Sequence, residues 1–233
     1  MSTETAFLAL LLDGPLQSWG SESRFQRRTT GLHPTKSGVV GMLCAAMGLA
    51  KGSVQEREVL PELAKLEMTS IVIPRERSNG PIPVLRVEDF HTVLGTRRAS
   101  GVENTDPVVT NRQYLADARF GLILEGDRRL LERVGDALKD PRWGVWLGRK
   151  SCVPAEPIYR GLFDDDTEAQ HALIGDRPVR KYTTIKEARD FAQGTDSLRD
   201  QPVSFGDGTS SGPEKREFAM RRIRLEPGSV EHQ

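Results

Sequence analysis

The order of apolar segments predicts an α+β fold: strand, helix, strand, a long insertion, then strand, helix and strand again. Three observations carry this reading. Residues 7–12 are apolar on both faces, as in a strand buried in the middle of a sheet. Pro34 and Thr35 open a helix in which Val40, Leu43, Cys44 and Met47 recur at i, i+3, i+4 and i+7, so one helix face is buried. Residues 118–125 read as a clean strand that runs into a helix over 127–139, with Leu130, Leu131, Val134 and Leu138 on one side. Removing the insertion leaves a βαββαβ pattern, the ferredoxin-like arrangement.

The remaining elements follow from local chemistry. Asp13-Gly14-Pro15 ends the first strand, and a polar, basic, Gly/Ser-rich loop covers 16–32. Gly38, Gly41 and Gly48 weaken the first helix and mark close backbone packing. Ser53 with Glu56 forms a capping box that starts a short helix to about Leu66, interrupted at Pro61. A second strand is expected at 69–73. The insertion, 74–110, carries Pro74, Pro81, Pro83 and Pro107, many charges and short β-like pieces such as 84–87; a stretch this long without its own core is functional or disordered. Strand-like pieces follow at 143–147 and 157–162. Beyond Asp164 the signal weakens: residues 164–166 read as solvated loop, 207–213 as flexible loop and 218–225 as a last strand. The expected organisation is a first domain over 1–163 carrying the insertion at about 74–110, then an irregular C-terminal extension over 164–233.

Composition excludes several classes. The chain has 233 residues, 33 basic and 33 acidic, and a formal net charge of zero. Its hydrophobic share of 37% is below the roughly 45–50% of an average domain, and with 22 Gly and 14 Pro much of the chain must be loop. No apolar run approaches the roughly 18 residues of a membrane span, so no membrane partner is expected. The run over 6–12 follows Glu4 without a basic flank and does not read as a signal peptide. Cys44 and Cys152 are the only cysteines, which excludes a disulfide scaffold or a zinc site and makes the cytoplasm the expected compartment. The four histidines, at 33, 91, 171 and 232, form no metal-spaced set, and no cofactor is expected.

The zero net charge hides local basic patches. Arg24, Arg27, Arg28 and Lys36 occur without an acid between 24 and 50; Arg142, Arg149, Lys150 and Arg160 occur with only Glu156 between 142 and 163. Such patches hold anions locally. Pro34-Thr35-Lys36-Ser37-Gly38 puts free backbone N–H groups and a cation at a helix start, which reads either as a cap without ligand or as a nucleic-acid phosphate site. It is no nucleotide-hydrolase loop: Gly31 lies one residue too close to Lys36, and Thr35 stands where that loop needs Gly. Trp143 to Cys152 combines aromatics, a permissive Gly148 and the adjacent cations Arg149 and Lys150; aromatic faces stack bases while cations meet phosphates, against the alternative of core packing. Gln17-Ser18-Trp19-Gly20 could line a groove or form a turn around a buried Trp. His33 beside Lys36 has the chemistry of a general acid/base in RNA cleavage, or of a structural hydrogen bond.

Five segments together resemble one known family. They are Leu12-Asp-Gly-Pro-Leu-Gln-Ser-Trp-Gly20, Pro34-Thr-Lys-Ser-Gly-Val-Val-Gly-Met-Leu43, Asp89-Phe-His-Thr-Val-Leu-Gly95, Tyr114-Leu-Ala-Asp-Ala118 and Leu147-Gly-Arg-Lys-Ser-Cys152. In this order they are similar to Cas family five of type I-E CRISPR Cascade complexes, within the RAMP superfamily, over roughly residues 7–162. The resemblance implies a ferredoxin-like, RNA-recognition-like domain with a protruding β-hairpin thumb in the 74–110 insertion. It implies binding of the CRISPR RNA 5′ handle, capping of the CasC backbone filament, contact with the large subunit CasA, and target DNA met only through the complex, whose sequence the guide reads by pairing. The RNA-binding residues expected are Gln17, Ser18, Trp19, Arg24, Arg27, Thr35, Lys36, Ser37, His91, Arg112, Tyr114, Trp146, Gly148, Arg149 and Lys150. The same family supplies an alternative, the type I-C endoribonuclease that processes precursor CRISPR RNA with a Tyr, a Lys and a His. That trio is not found here: Tyr114, Tyr159 and Tyr182 are the only tyrosines. The expected role is therefore a non-catalytic RNA-binding subunit.

Overall fold

Alternation along β1 (Thr5–Asp13) sets the layering. Leu8, Leu10 and Leu12 point into one apolar cluster, Ala9 and Leu11 into another, so the strand is buried on both faces. In the computed structural model, which describes residues 4–20, 27–78, 80–97, 100–207 and 215–229, the chain continues through β2 (Leu16–Gln17), β3 (Arg27–Arg28), α1 (Lys36–Met47), α2 (Val54–Lys65), β4 (Glu67–Val72), β5 (Arg75–Arg77), β6 (Gly80–Ile82), β7 (Leu85–Val93) and β8 (Val108–Ala116). Then come β9 (Arg119–Asp127), α3 (Arg128–Lys139), β10 (Tyr159–Phe163), α4 (Asp166–Ile174), β11 (Thr184–Glu187), β12 (Asp196–Ser204) and β13 (Glu217–Glu226).

The fold is mixed α/β with antiparallel sheets. Seven strands form the main sheet in the order β10-β1-β9-β4-β11-β13-β12. The larger cluster packs α1, α2 and α3 on one face; α4 covers the other through Ala169 and Leu173. Among the described residues no helix is long and apolar enough to cross a membrane.

Helix ends are set as expected at α1, where the Thr35 hydroxyl accepts from the Gly38 N–H, and at α2, where the Ser53 hydroxyl accepts from the Glu56 N–H. The α2 carboxylate reaches back to the Gly52 N–H. Pro61 does not interrupt this helix, which runs unbroken from Val54 to Lys65.

The long insertion holds two elements. β5 and β6 make a small hairpin, anchored because Arg75 pairs with the buried Asp13. β7 pairs antiparallel with β8 over nine residue pairs, Leu85 with Ala116 through Val93 with Val108, a ribbon about 30 Å long at roughly 3.4 Å per residue. Eight of the nine β7 residues are exposed, so the ribbon stands off the body. β8 also pairs with β2 and, in parallel, with β3.

The structure corrects the expectations for the C-terminal part and the 143–147 piece. The described residues after 163 build regular elements: α4 starts on an Asp165 cap, and β11, β12 and β13 extend the main sheet, with β11 bonded to β4. Residues 143–147 form no strand but a loop. Arg24 and residues 208–213 of the expected flexible loop lie outside the described residues.

Candidate nucleic-acid interface

Residues from three sequence clusters, 17–20, 34–38 and 143–152, meet at one groove of about 700 Å³, lined on its floor by α1 and on its walls by the ends of the sheets. The floor is shallow because α1 offers Ser37, Gly38, Gly41 and Ala45 there. A Cβ on Gly38 would sit 2.9 Å from the Thr35 hydroxyl and 3.0 Å from the Trp19 ring, so only glycine fits.

One wall is built around Ser18, Trp146, Gly148 and Arg149. The Ser18 N–H donates to the Leu147 carbonyl and the Leu147 N–H to the Cys152 carbonyl, which pins the loop to the chain after β2. Gly148 has φ +96°, and a Cβ there would run into the Ser18 carbonyl oxygen. The Arg149 guanidinium donates to the Gln113 carbonyl (3.0 Å) and the Arg28 carbonyl (2.9 Å) and lies 4.7 Å over the Tyr114 ring. Burial raises the Tyr114 pKa, but hydrogen bonds with Ser151, Arg149 and Arg112 and the Arg149 charge outweigh it, and the net shift is downward. Arg28 sits opposite Arg112 across the β3–β8 pairing.

The other wall comes from residues that sequence reading missed: Lys51, Arg199, Phe205, Arg216 and Phe218. The groove thus gathers Arg28, Lys51, Arg149, Arg199 and Arg216 against one acid, the buried Glu56. Trp143, 44% exposed, stands at its edge with Trp146.

The expected site residues divide. Ser18, Trp19, Thr35, Ser37, Trp146, Gly148 and Arg149 line the groove. Gln17, Trp19 and Lys36 are buried and their polar groups are taken up within the fold, and Thr35 and Gly148, while lining the groove, also cap α1 and shape the loop. Gln17 is fully buried: its amide donates to the Leu12 and Ala118 carbonyls and accepts from the Trp19 indole N–H. Trp19 is 1% exposed and belongs to the core. The Lys36 ammonium, 2% exposed, donates to both oxygens of Glu187 at 2.8 and 2.9 Å, while its backbone N–H is taken by Asp200. An internal carboxylate therefore occupies the helix start where a phosphate was considered. Burial, the largest influence, lowers the Lys36 pKa against the pull of Glu187. Tyr114 lies beneath Arg149, Arg112 midway along β8 opposite Arg28, and His91 on exposed β7 beside Thr110. Arg27, unlike Arg28, does not line the groove, as alternation along β3 requires. Lys150 is exposed and outside it. Among the described residues no group of three His, Cys, Asp or Glu comes together as a metal site.

Comparison with known proteins gives a consistent answer. The family model described as "CRISPR-associated protein (Cas_Cas5)" matches residues 7–224. The chain belongs to this Cas5 family. It is 30% identical over 204 residues to the Escherichia coli (strain K12) protein named CRISPR system Cascade subunit CasD, covering 85% of this chain and 89% of that protein. A solved chain titled "CRISPR RNA-guided surveillance complex" superposes with a TM-score of 0.72 at 28% identity, covering 96% of this chain and 90% of that one. A second, titled "Crystal structure of Cas protein", gives 0.64 at 34% identity, with 95% of each chain covered. The match reaches residue 224, so the Cas5 family likeness extends past residue 162, where the sequence motifs ended.

Proposed function

We propose that this Cas5-family chain is a non-catalytic subunit of a CRISPR RNA-guided surveillance complex acting in the cytoplasm, and that it holds the repeat-derived 5′ handle of the CRISPR RNA in its basic groove. The observation that carries this reading is the groove itself: five cations against one buried carboxylate, with Trp146 on its wall and Trp143 at its edge. Cations track a single strand's phosphates while aromatic faces stack its bases.

The order β10-β1-β9-β4, with α1 and α2 between β1 and β4 and α3 between β9 and β10, has the connectivity of a ferredoxin-like core. The exposed β7–β8 ribbon is suited to serve as the thumb, carrying His91 away from the body toward the guide or a CasC subunit at the filament end, while Arg112 stays beside β3. CasA, like target DNA, is met within the complex. The endoribonuclease alternative is disfavoured because the Lys36 ammonium is buried and held by Glu187.

Native mass spectrometry of the chain coexpressed with its neighbouring subunits and guide RNA tests the proposal. The expected mass includes one small RNA per assembly, intact at the repeat. An assembly free of RNA, or repeat cleavage lost on His33→Ala, would contradict it.

A further inference from the structure

We propose that Arg199, Arg216 and Lys51, with Phe205 and Phe218 beneath them, form a second RNA subsite on the C-terminal wall of the groove. The inference rests on the RNA-binding reading above and deepens it: the strand would run from the Trp146–Arg149 wall across the α1 floor to this second wall.

Geometry carries the proposal. β12 and β13 deliver the wall, since Arg199 lies within β12, Arg216 just before β13, and Phe205 and Phe218 at their joined ends. The two rings meet edge to face with centroids 6.3 Å apart. Phe205 faces the α1 floor, where a Cβ on Gly41 would find only its ring edge, at 3.8 Å. The missing side chain leaves a trough between the walls.

Charge points the same way. Arg199 and Arg216 are exposed and carry no ion pair among the described residues. Several arginines elsewhere in the fold are neutralised by acids, Arg221 by Asp200, Arg128 by Glu4 and Asp164, and Arg189 by Glu67 and Glu125; at this wall no such acid takes the charge of Arg199 or Arg216 among the described residues. The acids that act on Lys51 at this wall are Glu56 and Asp207. Glu56 is buried and accepts from the Gly52 backbone, and Asp207 packs on Gly52. The Lys51 pKa is lowered by desolvation and then by the Arg216 charge, against Glu56 and Asp207. Cations gathered so closely repel one another until an anion lies between them. The phosphodiester of a single-stranded RNA is that anion, and the ring pair offers an apolar face to its base or ribose.

The test measures binding of the full chain to a single-stranded RNA carrying the cognate repeat segment, at several salt concentrations. Wild type is compared with Arg199→Gln/Arg216→Gln and with Arg28→Gln, a change on the opposite wall. Each lost phosphate contact flattens the log affinity against log salt plot by about 0.7. The double variant should flatten it by about 1.4, and Arg28→Gln by about 0.7. A wild-type slope in the double variant, with the Arg28→Gln slope flattened, would overturn the second subsite and leave the first reading standing. No salt-dependent RNA binding by the wild type, or no flattening in either variant, would overturn the RNA reading and this inference with it.

Discussion

The Arg149 guanidinium donates to the Gln113 and Arg28 carbonyls and covers the Tyr114 ring, whereas the Lys150 ammonium beside it is exposed. The two cations, equivalent in the sequence pattern, should therefore respond differently. Arg149→Ala removes charge-assisted bonds to two carbonyls and should cost about 1.5–3 kcal/mol in urea denaturation. Lys150→Ala should stay within about 0.5 kcal/mol, as for other exposed positions. Equal effects would mean that Arg149 does not clasp the ribbon base. His33 gives a pH signature. Burial, the largest influence, holds its pKa below 6.5; the Pro34 carbonyl, Asp200 and Asp196 oppose this, and Arg221 adds to it. As pH falls through about 6.5 the unfolded chain binds more protons than the folded one, so stability is complete above that value and declines below it. His33→Asn should make the fall in stability between about pH 6.5 and pH 5 shallower than in wild type. Parallel profiles would remove His33 as a source of acid sensitivity.

At the scale of elements, the β7–β8 ribbon owes little to the core. β7 is exposed almost throughout, while Tyr114 and Leu115 at the base of β8 are buried. Glu88 and Gln113 are register partners, joined by a 3.1 Å hydrogen bond. Replacing 92–109 by an Asn-Gly turn between the register partners His91 and Thr110, which leaves the β3 pairing of Asn111 and Arg112 in place, should shift the melting temperature by less than about 4 °C, which is about 1 kcal/mol at this size, yet impair assembly with the CasC filament. A large loss of stability would place the ribbon in the fold's energetics. Elements with period and cap were legible in the sequence: α1 with Thr35, α3 with Asp127 and β1 with its two apolar faces. The 143–147 piece was not, since its apolar residues serve a loop pinned at Ser18 and Cys152 rather than a strand. Nor were β11 and β12. Their inward positions include charged groups such as Asp200, and a polarity pattern reads a buried charge as solvent-facing.

Across the whole molecule, that buried charge ties the C-terminal strands to the first helix. Arg221 on β13 holds both oxygens of Asp200 on β12, at 2.9 and 2.7 Å, and Asp200 accepts from the Lys36 backbone at the start of α1. Removing one partner leaves a charge buried and unmatched, so Arg221→Met should cost about 3–5 kcal/mol in denaturant unfolding; a loss under about 1 kcal/mol would mean that the network relaxes at little cost. The same packing hid half the groove from the sequence. Trp146 and Arg149 were visible as an aromatic and cation cluster, but Lys51, Arg199 and Arg216 are brought together only by the seven-stranded sheet. Photo-crosslinking of a thiouridine-substituted handle RNA in the assembled complex, mapped by mass spectrometry, tests the groove most directly. Crosslinks should fall on the groove lining, within the loop carrying Trp143 and Trp146 or the segment around Phe218. Crosslinks confined to the opposite face of the sheet, around α4, would contradict it.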